Sequence, residues 1–310
     1  MPQPRILDRS QPQSSKVAWI ATVAFVFATG CAGIRHNQEK TDVLEARRLS
    51  QRGLDAIHDK RYGEAETHFR DAVNRSPNDI NSRYQLANCL WKRGDRQQAI
   101  AQLLEAIRAD GEEDVDMLVE LGYMYANVGE LDNSFQIAER AIRAAPDSTA
   151  AWQLRGDVLN ETNQFEAALA SYQRALAYER DNRRILIACA EAYHQLDRPE
   201  RVLSTLNHVD RLAPPGPKTE QSVVLKSIAL RKLNRHQEAA MVLNRRHQIQ
   251  PLSGDGLLEL AECQLAIGQF AEAAQTVQAA DQHLTHQSQQ QRSKWLHARI
   301  ASSSTEPPLR

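Results

Sequence analysis

Cysteine is scarce in this chain and badly spaced for chemistry. The 310 residues hold four, Cys31, Cys89, Cys189 and Cys263. No Cys-x-x-Cys pair occurs, so the usual zinc and redox spacings are excluded. Cys89, Cys189 and Cys263 are too few and too scattered for a disulfide framework; at buried phases of apolar helices a free thiol acts as a small hydrophobe. Excess charge of one sign is also lacking, with Lys+Arg at 38 against Asp+Glu at 39. Without a basic stripe interleaved with aromatics, there is little counterion release to drive binding, which excludes nucleic acid as the main partner. No glycine-rich phosphate loop and no Ser/His/Asp set can be assembled. His283 and His286 can share a helix face but have no third ligand nearby, so no metal is expected. The acidic run Glu112, Glu113, Asp114 and Asp116 lacks the glycine turn and distal glutamate of a calcium loop, and reads as a charged loop. No cofactor and no enzymatic activity are expected.

Long apolar runs are missing too, with one exception. Val17 to Ile34 is eighteen residues without a charge, preceded by Arg5, Arg9 and Lys16. A positive lead, an apolar core and small residues at its end have the form of an export signal over 1–30. Ala28-Thr29-Gly30-Cys31 resembles the bacterial lipobox, which implies lipidation at Cys31. The alternative is an uncleaved membrane-spanning helix, for which eighteen residues is near the lower bound. Either way the positive lead stays cytoplasmic and the rest is tethered on the far side of the membrane, facing periplasm or cell exterior. Ala32, with no aspartate after the cysteine, points to the outer membrane where the host has two.

What the chain does have is a period. Gly53, Ala87, Gly122, Gly156, Ala190, Ser227 and Ala261 are separated by 34, 35, 34, 34, 37 and 34 residues. Twelve residues further on lie Ala65, Ala99, Ser134, Ala168, Val202, Ala239 and Ala273. Phe69, Leu103, Ala138, Tyr172, Leu206, Leu243 and Val277 follow in step. Next come Ala72, Ala106, Ala141, Ala175, Val209, Arg246 and Ala280. A step held this long indicates an array of one supersecondary unit. Small residues let two helices cross closely, and the larger residue fills the adjoining groove. Gly94, Gly129, Asn163 and Gly268 are suited to end first helices in a left-handed conformation. Pro77, Pro146, Pro214 and Pro251 stop second helices.

The pattern resembles the tetratricopeptide repeat family. Leu118, Leu121-Gly122, Tyr125, Ala141 and Pro146 carry the resemblance in the third unit; Trp152, Gly156, Ala168, Tyr172 and Ala175 carry it in the fourth. The sixth unit departs most, with Lys226, Ser227 and Arg246 at apolar or small places. The resemblance implies an all-α solenoid of about seven helical hairpins in a right-handed superhelix. The expected units are 46–79, 80–114, 115–148, 149–182, 183–219, 220–253 and 254–287. A tether at 31–45 precedes them; a capping helix at 288–301 and a loose tail at 302–310 follow. Trp295 with Ala298, and Leu296 with Ile300, are expected to form the cap's apolar face. Pro214-Pro215-Gly216-Pro217 adds three residues between the fifth and sixth units and is a candidate bend.

The resemblance further implies that the first helices line a concave groove. Its candidate contact residues are Asn81, Tyr84, Asn88, Trp91 and Lys92, then Tyr123 and Asn127, then Gln153, Asp157 and Asn160, then Arg184, Glu191, His194 and Gln195. Amides can both donate to and accept from a peptide backbone, and aromatics add contact area. Asp116 and Glu120 stand where a clamp for a terminal carboxylate would need basic or amide groups, so that specialised activity is not expected. The expected role is a membrane-tethered scaffold for envelope proteins or peptides, as in outer-membrane, pilus or cell-wall assembly. Self-association and a regulatory subunit of an enzyme complex are the alternatives.

Overall fold

The computed structural model describes residues 40–111, 114–212 and 219–303. Those residues form fifteen helices and no strand. The signal, Cys31 and the prolines at 214–217 lie outside them.

The chain divides after Asp114 into two units. The first holds α1 (40–58), α2 (Tyr62–Arg75), α3 (Ile80–Arg93) and α4 (Arg96–Ala109). The second holds α5 (Val115–Asn127), α6 (Leu131–Ala144), α7 (Thr149–Glu161), α8 (Phe165–Tyr178), α9 (Arg183–Gln195) and α10 (Pro199–Leu212). It continues with α11 (Glu220–Lys232), α12 (His236–Ile249), α13 (Gly254–Ala266), α14 (Phe270–Asp281) and α15 (Gln287–Ser303). Within the second unit each helix packs on its successor, and α5, α7, α9, α11, α13 and α15 also touch one another in turn. That second set of contacts makes a stack of hairpins rather than a string of them.

Local sequence explains each hairpin. Every one turns on a single left-handed residue: Lys60, Gly94, Gly129, Asn163, Asp197, Asn234 and Gly268, with φ between 54° and 100°. Glycine takes that conformation freely and Asn or Asp at small cost, so Lys60 is the strained member. First helices α3, α7, α9 and α13 open on Asp79, Ser148, Asn182 and Ser253, whose side chains accept from the backbone N–H three residues on. Such a cap is worth about 1 kcal/mol. Pro77, Pro146 and Pro251 each follow a finished second helix.

The periodic residues form the core. Ala65, Ala99, Ser134, Ala168, Val202, Ala239 and Ala273 are all fully buried. Gly53, Gly122 and Gly156 lack a methyl group because Phe69, Leu154 and Tyr172, respectively, occupy its place. These three contacts are the close crossings anticipated from small residues facing large ones.

Two places, residues 40–45 and the cap, depart from expectation. Residues 40–45 belong to α1 instead of a tether: Arg75 of α2 bonds Asp42 at 3.3 Å and Glu45 at 2.9 Å, and Ala46 is buried behind them. In the irregular sixth unit the three unusual side chains find partners within it or on the unit before it. Lys226 Nζ donates to Asn207 and Asp210, both at 2.7 Å, Ser227 Oγ donates to the Val224 carbonyl, and Arg246 donates to Gln250. On the cap, Leu296 and Ile300 are buried, but Trp295 is 56 % exposed and Ser293 takes an inward place, donating to Asp281. Residues 293, 296 and 300 follow the i, i+3, i+7 phase of one stripe, which 295 misses. The candidate bend at 214–217 lies outside the described residues; on either side of it α9, α10 and α11 to α15 share one apolar core, from Ala190 through Leu225 and Leu258 to Leu296.

Candidate functional site

The column that follows each small residue points away from the hairpin core. In the second unit it reads Tyr123 on α5, Asp157 on α7 and Glu191 on α9. The neighbour contacts α5 to α7 and α7 to α9 bring the three into one cleft of about 320 Å³. Asn127, Asn160, Glu161 and Arg184 also line it, as does Tyr172 reaching through from α8.

Asp157 is the centre of the cleft. Its Oδ1 accepts from the Tyr172 hydroxyl at 2.9 Å; its Oδ2 accepts from the Tyr123 hydroxyl at 2.9 Å and, more weakly, from Gln153 at 3.4 Å. Burial raises the Asp157 carboxyl above the ordinary carboxylate range despite these donors and the Arg184 charge. Both tyrosines are pushed up as well, by burial and then by the neighbouring carboxylate. They therefore stay protonated and act as fixed donors. Glu191 is raised by burial and then by Asp157, and it accepts from Gln221 of α11. The Arg184 guanidinium lies over the Tyr123 ring, 5.6 Å from its centroid, a cation–π contact. Asn160 Oδ1 is buried with no hydrogen-bond partner. Three carboxylates thus face one guanidinium across the cleft.

The other expected contact residues divide between structural and open positions. Gln153 is buried, and its amide supports Asp157. Asn127 is exposed at the rim and bonds back to the Tyr123 carbonyl at 2.9 Å. His194 is half-buried beyond Glu191; burial and then the Lys232 charge lower its pKa. In the first unit, Trp91 packs on the local core with Arg96 over its ring at 4.0 Å. Lys92 stands 5.1 Å from the Tyr62 ring centroid. Tyr84 and Asn88 are half-buried and Asn81 is exposed. Sequence reasoning missed Glu161 and placed Tyr172 in the core alone. A signal for Tyr172 existed, since it brings the only hydroxyl to a column of Phe69, Leu103, Ala138, Leu206, Leu243 and Val277.

Beyond the cleft the same faces close on themselves. Glu259 of α13, with 1 % of its side chain exposed, accepts from Arg231 of α11 at 2.9 Å and from Arg292 of α15 at 2.7 Å. Glu262 binds the same two arginines at 3.1 and 2.5 Å. No cationic or anionic group of this lattice is left over for a ligand, and it fastens α15 to α11 and α13. The three described cysteines are buried and unpaired.

Comparison with known proteins agrees with this architecture. Two family models match, a tetratricopeptide repeat over residues 84–149 and a TPR repeat over 156–197. A tetratricopeptide repeat protein from Parabacteroides merdae superposes with a TM-score of 0.62 at 12 % identity, covering 83 % of this chain and 99 % of that one. PilW, described as a widely conserved type IV pilus biogenesis factor, gives 0.60 at 14 % identity, covering 68 % and 96 %. Among curated relatives, human general transcription factor 3C polypeptide 3 is 26 % identical over 130 residues, which is 42 % of this chain and 15 % of that protein. The chain spans less than a quarter of the length of the curated relatives it matches.

Proposed function

Since the chain is a tetratricopeptide-repeat protein, we propose that it is a non-enzymatic adaptor that holds other envelope proteins, or peptide segments of them, in the cleft of its second unit while its N-terminus is tethered to a membrane. The observation that carries this reading is the cleft itself: a polar recess between first helices, with a desolvated carboxylate and an unpaired amide oxygen at its floor. Groups so arranged suit recognition. The Tyr123 and Tyr172 hydroxyls that meet Asp157 are held protonated and serve as donors rather than nucleophiles.

Tethering rests on the apolar run from Val17 and on Cys31. Lipid chains hold by burying methylenes at about 0.8 kcal/mol each, and a single chain holds only marginally. Intact mass of the membrane-extracted protein tests this part, the expected result being cleavage before Cys31 with added acyl mass. An uncut N-terminus in the membrane supports the helical anchor instead. The pilus, the outer membrane and the cell wall are the candidate places of work; the likeness to a pilus biogenesis factor supports a common architecture for holding partners. The adaptor reading is tested by placing a photo-crosslinking residue at Asn127 on the rim of the cleft. Specific crosslinked partners in intact cells are expected, and their absence refutes the reading.

A further inference from the structure

The charges that line the cleft are unequal in number. Asp157, Glu161 and Glu191 line it against Arg184 alone. The Arg184 guanidinium is already engaged on the Tyr123 ring. Asn160 adds a further acceptor, its buried Oδ1, which finds no donor within the protein. The lining is therefore richer in anionic acceptors than in donors, with Arg184 the one cation among the residues that form it. The Tyr123 and Tyr172 hydroxyls, and the Gln153 amide behind them, donate to Asp157.

Resting on the adaptor reading, we propose that this cleft takes the cationic side chain, lysine or arginine, of an extended segment of a partner protein. Asp157 and Glu161 would flank the cation, with Glu191 on the next helix adding to the negative field. Three physical points support the assignment. A carboxylate taken out of water without a full counter-charge is unfavourable, and an incoming cation offsets that cost. Charge-assisted hydrogen bonds are about twice as strong as neutral ones, so a site of acceptors discriminates sharply for a donor cation. A cleft of about 320 Å³ is at the small end of ligand sites; it fits a side chain and its neighbours rather than a folded domain. A partner carboxylate or phosphate would meet three like charges.

The test uses the full chain in detergent and fluorescein-labelled, end-blocked peptides of one neutral sequence, whose central residue is lysine, arginine, norleucine or glutamate. Fluorescence anisotropy is expected to show lysine and arginine peptides binding at least about tenfold tighter than norleucine, the size of one charge-assisted contact. Glu161→Gln is expected to cut that preference severalfold, and Glu161→Lys to abolish it. Glu161 is exposed and ends its helix, so both variants should fold as wild type by circular dichroism. Asp157→Asn should do the same within the cleft. Equal binding of norleucine, tightest binding of glutamate, survival of the preference in Glu161→Lys, or no binding by any peptide would overturn the inference. Crosslinking from Asn127 separates the two levels: partners captured there without a charge preference would sink only the cationic assignment, and an absence of partners would sink the adaptor reading.

Discussion

The lattice that fastens the last helix makes a prediction with an unusual asymmetry. Glu259 is almost wholly buried, whereas Arg231 and Arg292 keep 31 % and 32 % of their side chains exposed. Removing the anion and removing the cations should therefore not cost the same. In Glu259→Gln the two guanidiniums retain Glu262 and can turn to water, and the cost is that of weakened charged hydrogen bonds, about 1–1.5 kcal/mol. In the double variant Arg231→Met, Arg292→Met, Glu259 is left buried without a counter-ion. Stranding one partner of a buried pair costs about 3–5 kcal/mol, and the partial exposure here argues for the lower end, about 3 kcal/mol. Adding Glu259→Leu and Glu262→Met to the double variant should recover most of the loss, since an apolar replacement of a whole ion cluster is close to neutral. In a repeat array the damage should stay local to the terminal helices. Hydrogen exchange is the suitable assay, with amides of α15 followed against those of α7. The double variant should lower α15 protection by about a hundredfold and Glu259→Gln by about tenfold or less, with α7 unchanged. A larger effect from Glu259→Gln than from the double arginine variant would refute the reasoning, because it would mean that the arginines, not the carboxylate, carry the desolvation.

Other expectations can be checked separately. Gly156→Ala drives a methyl group into the Tyr172 ring; overpacking of this kind costs about 1–3 kcal/mol and should also weaken peptide binding by displacing a donor to Asp157, whereas an unchanged melting temperature would contradict the crossing described. Burial pushes the thiols of Cys189 and Cys263 up to about 12 and that of Cys89 above its ordinary value. None of the three should react with a thiol reagent at pH 8 until the chain unfolds, and fast labelling of the native protein would place them at the surface. The raised Asp157 carboxyl predicts a definite sign for stability against pH. The native state holds this proton at higher pH than the unfolded chain does, so the contribution of Asp157 to stability is fully present below its ordinary value of 3.8 and lost as pH rises through the elevated native value. The melting temperature of wild type minus that of Asp157→Asn should grow as pH is lowered from 7 toward 4, with Tyr123, Tyr172, Gln153, Arg184 and Glu191 around the group in both proteins. A difference that shrinks toward acid would mean that its hydrogen bonds outweigh its burial.

The stack of hairpins was legible in the sequence because its cause is local and repeated. A residue such as Gly156 or Ala168 meets the same neighbours in its own hairpin as Gly53 or Ala65 does in theirs, so geometry recurs with spacing. The left-handed turns at Gly94, Gly129, Asn163 and Gly268 were readable for the same reason. Lys60 was not, because the fold imposes that conformation on a residue with little preference for it, whereas Asp197 and Asn234 carry the preference without an adjoining signal that singles them out. The candidate site was half legible. Tyr123, Asp157, Asn160 and Glu191 fall on the expected faces, yet nothing in their spacing says that Asp157 accepts from two tyrosines or that Gln153 is buried beneath it.

The sequence by itself settled that hairpins of one design follow one another, since an interval of about 34 residues is a property of the chain. Only the tertiary structure decided which polar groups on the shared faces are satisfied and which remain open. Arg231 and Arg292 are neutralised by Glu259 and Glu262 across three helices, while Asp157 and Asn160 do not find such partners. Pairing of charges depends on distances between helices that no periodicity encodes, and burial converts those distances into the difference between a fastening and a binding site.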